Sequence, residues 1–187
     1  MEVPSQEDPG LQRLAVNAYV ALHPEVTPRE AERRLEVQDR AARAGVNEVL
    51  PDLIGEAYAG AWYSADDGGR LVIGVKTSEP SPSGPEVDRA RAMLSRAGLA
   101  ADVVFRSTGA TLAELYAALE QLRTELDDLL GASQITLGIV PQHNAVHVGV
   151  GERVEPAVRS RLDAAVGRLP PAVGVRIEPG SVGATKR

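Results

Sequence analysis

Over residues 135–150 apolar positions alternate with small or polar ones. Ile135, Leu137 and Ile139 are spaced by Thr136 and Gly138, and Val146, Val148 and Val150 by His147 and Gly149. Period two puts each set on one face of a strand. Pro141, Gln142, His143 and Asn144 interrupt the pattern and turn the chain. The segment therefore reads as a β-hairpin with one apolar face and one flat face carrying Thr136, Gly138, His147 and Gly149. A second hairpin is expected where Gly60-Ala61-Trp62-Tyr63 and Arg70-Leu71-Val72-Ile73-Gly74-Val75 flank Asp66-Asp67-Gly68-Gly69. Asp-Gly supplies the left-handed backbone that such turns need.

Elsewhere the period is helical. Leu112, Leu115, Tyr116, Leu119, Leu122, Leu126, Leu129 and Leu130 predict a helix from residue 112 to 130, opened by the capping box Thr111-Leu112-Ala113-Glu114 and stopped by Gly131. At 1.5 Å per residue it would be roughly 30 Å long. Leu11, Leu14, Ala15, Ala18 and Leu22 predict an N-terminal helix ending at His23-Pro24. Thr27-Pro28-Arg29-Glu30 opens a mostly charged helix that ends near Gly45, with Ala31, Leu35 and Ala42 as a thin apolar stripe. Glu30–Arg34, Glu36–Arg40 and Asp39–Arg43 are acid-before-base pairs four apart, each contributing about 0.2–0.5 kcal/mol. A third helix is expected from about Leu50-Pro51 to Ala59. Two more carry Val87, Ala90, Leu94 and Ala97, and Val158, Leu162, Ala165, Val166 and Leu169; short β runs follow at residues 102–106 and 172–177.

Residues 59–106 and 134–177 thus spell one order twice: strand, turn, strand, helix, strand. Leu71-Val72-Ile73-Gly74-Val75 aligns with Val146-His147-Val148-Gly149-Val150, and Val103-Val104-Phe105-Arg106 with Val173-Gly174-Val175-Arg176. The predicted fold is α+β: an N-terminal helical segment (1–58), a first ββαβ unit (59–110), a connecting helix (111–131), a second ββαβ unit (132–178) and a tail (179–187).

Composition narrows the function. The 187 residues carry a net charge of −6, which argues against a nucleic-acid binder with its basic stripe and against a polybasic membrane surface. Aromatic residues are 3% of the chain, so the core must be aliphatic. There is no cysteine, hence no disulfide, zinc knuckle or thiol nucleophile. No apolar run reaches the roughly 18 residues of a membrane span. Residues 1–10 are acidic and hold Pro4 and Pro9, unlike a signal peptide.

The chemistry search yields little. His143 and His147 are four apart in a hairpin, where that spacing covers about 13 Å, so no metal pair is expected. Asp66-Asp67 and Asp127-Asp128 read as turn and helix-surface acids. Neither a G-x-S-x-G elbow nor a Gly-Asp-Ser-Gly-Gly segment is present. Gly149-Val150-Gly151 lacks the third glycine and the βαβ setting of a dinucleotide loop. No catalytic residue, cofactor or metal is assigned; the chain is expected to bind protein.

The segment Gly55-Glu56-Ala57-Tyr58-Ala59-Gly60-Ala61-Trp62-Tyr63, then Asp66-Asp67-Gly68-Gly69-Arg70-Leu71-Val72-Ile73-Gly74-Val75, resembles the pro-region of bacterial secreted chymotrypsin-fold proteases of the streptogrisin and α-lytic protease type. Thr111-Leu112-Ala113-Glu114-Leu115 and the second hairpin with its His143-Asn144 turn are also similar, so the resemblance spans residues 27–177. It implies an intramolecular chaperone and inhibitor of a serine protease, linked to it in a secreted precursor. It implies further that the second unit extends its sheet by pairing with a protease hairpin while the C-terminal tail lies in the active site like a product. The binding residues would be Ile135, Thr136, Leu137, Val146, His147 and Val148 in the hairpin and Thr185, Lys186 and Arg187 in the tail. The alternative is a non-catalytic adaptor or scaffold module of the same fold, cytoplasmic if its gene encodes no signal peptide, binding another protein by the same edge.

Overall fold

The computed structural model describes residues 9–151 and 155–179. Helices α1 (Pro9–Leu22), α2 (Pro28–Arg43) and α3 (Val46–Ile54) lead into a single 3-10 turn, Gly55–Ala57. The first unit is β1 (Tyr58–Ser64), β2 (Arg70–Lys76), α4 (Pro85–Arg96) and β3 (Val103–Thr108). Helices α5 (Leu112–Glu125) and α6 (Asp127–Gly131) follow, and then the second unit: β4 (Ile135–Val140), β5 (Ala145–Val150), α7 (Pro156–Val166) and β6 (Gly174–Pro179). The sheets run β1-β2-β3 and β4-β5-β6. In each the hairpin is antiparallel and the last strand is parallel to the central one, because parallel neighbours need a crossover and α4 and α7 supply it. The α+β architecture of helical segment plus two ββαβ units is the one the periodicities predict.

Each sheet packs its helices on one face. Leu71, Ile73 and Val75 meet Val37, Leu50, Ile54, Val87 and Leu94 of α2, α3 and α4 in one core. Ile135, Val146, Val148 and Val150 meet Leu115, Leu122, Leu129 and Leu162 of α5, α6 and α7 in another. On the far face of the first sheet Trp62 lies across Gly74; a Cβ there would stand 3.2 Å from the indole. The two units meet where the turn after β4 packs on β1. Strand β1 shifts register between Tyr58 and Ala61, and Gly60 (φ +106°) leaves room for Pro141, whose Cβ would be 3.1 Å from a Cβ added at Gly60.

Several local expectations are corrected. The long helix is broken at Leu126 (φ −122°, ψ 22°), and Leu129 N–H and Leu130 N–H both turn back to Leu126 C=O. Asp127 and Asp128 sit in the first turn of α6, where the helix dipole favours acids. Helix α3 starts earlier than expected, after the left-handed Gly45 (φ 60°), and buries Val46, Leu50 and Ile54; Ala57 belongs to the 3-10 turn. The buried residues of α2 are Ala31, Arg34, Val37 and Ala41, while Ala42 is exposed. Arg34 earns its place inside because its aliphatic stem fills the space over Gly69, where a Cβ would come within 2.4 Å of Arg34 Cγ. Its Nε donates to Glu30 Oε1 at 2.9 Å. Arg40 turns from Glu36 to Asp102 (2.9 Å).

The third strand of the second unit also sits two residues later than the aligned sequences suggest. Gly74 pairs with Arg106 but Gly149 pairs with Glu178, so Glu178, not Arg176, is the counterpart of Arg106. A two-residue slip keeps every side chain on its own face, which is why periodicity does not detect it.

Candidate functional site

The second hairpin has the two faces its alternation predicts. Ile135 (2% exposed), Val146 and Val148 (both 0%) point into the core. Thr136, Gly138, His147, Arg176 and Glu178 share the opposite face across adjacent strands. Among the described residues nothing lies within 4 Å of where a Gly138 Cβ would be. His147 Nε2 lies 3.0 Å from Glu178 Oε2, and this hydrogen bond holds the Glu178 carboxyl below its ordinary value. Arg176 Nη1 donates to His143 Nε2 at 3.2 Å. The two histidines therefore engage separate partners, and among the described residues no group of three His, Asp or Glu side chains could hold a metal ion.

The residues singled out for binding divide by position. Strand β5 is central, paired with β4 on one side and β6 on the other, so Val146 and Val148 present neither side chain nor backbone to a partner. His147 presents its side chain alone. Ile135, Thr136 and Leu137 lie on β4, a margin strand. Thr136 is exposed, Leu137 is half-buried, and Ile135 contributes only its main chain. Thr185, Lys186 and Arg187 lie outside the described residues.

The second sheet has two margins, β4 and β6. Among the described residues no turn or loop backbone bonds to β4 or β6 residues beyond the pairing within the sheet, which leaves outward N–H and C=O groups along both. The β4 margin has a further feature. Beside it runs a groove of about 300 Å³ lined by Leu119, Leu130 and Leu137, with Glu120, Arg123 and Asp127 at its rim. Leu119 and Leu130 come from α5 and α6 and are only half-buried. A strand laid along β4 would point alternate side chains into this groove.

The groove was not read from the sequence, where Leu119 and Leu130 count as core. The available signal was the width of the leucine pattern. Leu112 through Leu130 with Tyr116 covers more of the helix than the roughly 100° stripe that one core face consumes, and Tyr116 is 55% exposed. In the comparisons with known proteins, no family model matches the chain and no curated protein matches it.

Proposed function

We propose that this chain is a non-catalytic protein-binding module that accepts a strand on β4, and that its partner is a chymotrypsin-fold serine protease, for which it serves as folding pro-domain and inhibitor. The observation that supports the reading is the conjunction at β4: a backbone margin without a partner strand among the described residues beside an apolar groove of Leu119, Leu130 and Leu137. Backbone pairing supplies affinity that does not depend on sequence, and the groove selects apolar side chains at every second position of the incoming strand. The choice of a protease comes from the resemblance of residues 27–177 to bacterial pro-regions.

The test is inhibition of a purified secreted bacterial chymotrypsin-fold protease by the whole chain. Inhibition that weakens by about tenfold or more in Leu137→Lys, with the melting temperature of the chain little changed, is the expected result. Inhibition indifferent to Leu137→Lys overturns the β4 assignment. A protease unaffected by the chain at about a thousand times a nanomolar dissociation constant overturns the protease, and leaves the adaptor role for the margin.

A further inference from the structure

Helix α1 carries an apolar stripe that is exposed among the described residues. Leu11, Ala15, Ala18 and Leu22 recur at helical spacing with Leu14 beside them, so they share one side of the helix. That side faces outward: Leu11 is 65%, Leu14 64% and Leu22 79% exposed. The helix rests on α2 through the half-buried Val16, Tyr19 and Val20. A helix of 14 residues is marginal by itself in water and draws its stability from packing, and a contiguous exposed apolar stripe marks an interaction surface.

Between α1 and α2 lies a groove of about 360 Å³, floored by Leu11, Ala15, Val16 and Leu35 and walled by Glu32, Glu36 and Asp39. Every charged side chain lining it is a carboxylate. Asp39 is engaged by Arg43 and Glu32 accepts from Gln12 Nε2 at 3.5 Å. Glu36 has neither hydrogen bond nor ion pair among the described residues. An acidic or neutral segment seated on the floor would strip water from these carboxylates and return nothing. A cationic one would pair with them.

We propose that the α1–α2 groove docks a cationic amphipathic helix of a partner protein, apolar residues at i, i+3 or i+4 and i+7 on the Leu11–Leu35 floor and Lys or Arg flanks against Glu32 and Glu36. This is helix-in-groove recognition, and it does not depend on the β4 reading.

The probe is a fluorescein-labelled amphipathic peptide made of leucine and lysine, with a leucine–glutamate peptide of the same pattern as control, followed by fluorescence anisotropy. The lysine peptide binds and weakens as salt is raised; the glutamate peptide does not bind. Glu32→Lys with Glu36→Lys, two exposed positions whose exchange leaves the circular dichroism spectrum unchanged, lowers affinity about tenfold or more, as does Leu35→Asp. Leu137→Lys, at the other groove, leaves it unchanged. Equal binding of both peptides, or affinity untouched by the Glu32 and Glu36 exchanges, overturns the proposal. So does a dimer in sedimentation that Leu11→Glu and Leu14→Glu dissociate, since the stripe then belongs to a second copy of the chain.

Discussion

The side-chain amide of Asn144 pairs with the main chain of Ala110 as a strand neighbour would. Its Oδ1 accepts from Ala110 N–H at 2.8 Å and from Gly109 N–H at 3.0 Å, and its Nδ2 donates to Ala110 C=O at 2.7 Å. Asn144 sits at φ 47°, in the left-handed region, where asparagine is among the few residues at ease. One side chain in the turn of the second hairpin thereby fixes the segment leaving the first unit. Because Ala110 is fully buried, removing the amide leaves its N–H without a partner and its C=O with only the longer bond from Thr108 Oγ1 at 3.3 Å. Asn144→Ala is expected to cost about 2–3 kcal/mol in urea unfolding. Asn144→Asp, which keeps the acceptor and loses the donor, is expected to fall between it and the wild type.

A second contact between the units predicts a steric effect. Gly60 combines φ +106° with a would-be Cβ 3.1 Å from Pro141. Gly60→Ala must strain the backbone and push the turn away, an expected loss of about 1–3 kcal/mol. Gly138→Ala, with open space at its Cβ, is the control and is expected to lie within about 0.5 kcal/mol of wild type.

Acid sensitivity has a named contributor. Hydrogen bonds from Arg33 and then Arg34 hold the Glu30 carboxyl at about 2, against an ordinary 4.5. A depressed folded-state pKa means stability that is present in full above about pH 4.5 and drains as the pH falls towards 2. Glu30→Gln is expected to be less stable than wild type at pH 7 and to lose less between pH 4.5 and 2.5, as followed by thermal melts across that range.

Core truncation separates the two units. Leu122 is fully buried in the second core, so Leu122→Ala should cost about 2–5 kcal/mol. Amide exchange is expected to accelerate across β4, β5 and β6 and to stay slow in β2, whose side chains pack in the other core.

Much of the architecture was legible because its signals are local. Period two in residues 135–150 gave the second hairpin, the Asp67-Gly68 turn gave the first, and Thr111 with Glu114 gave the start of α5, where both reciprocal hydrogen bonds are present (3.1 and 2.8 Å). What was hidden depends on partners distant in the chain. Arg34 is inside because Gly69 makes room for its stem. The 27–30 box is completed on one side only, Thr27 accepting from Glu30 N–H at 3.3 Å, because the Glu30 carboxylate turns to Arg33 and Arg34 instead. The break at Leu126 falls where Asp128 can take a bidentate bond from Arg161 (2.6 and 2.8 Å), 33 residues on. The hairpin face was legible too, but not which strand lies at the margin: the strand after α7 returns beside β5 and closes it on both sides.

Among the described residues the two cores have no buried side chain in common. Heat or force can therefore melt one half of the molecule and spare its neighbour, so that calorimetry should resolve two steps once either half is weakened. A peptidase meeting the half-melted chain would cut within the melted half first, and the surviving piece would still carry a complete sheet.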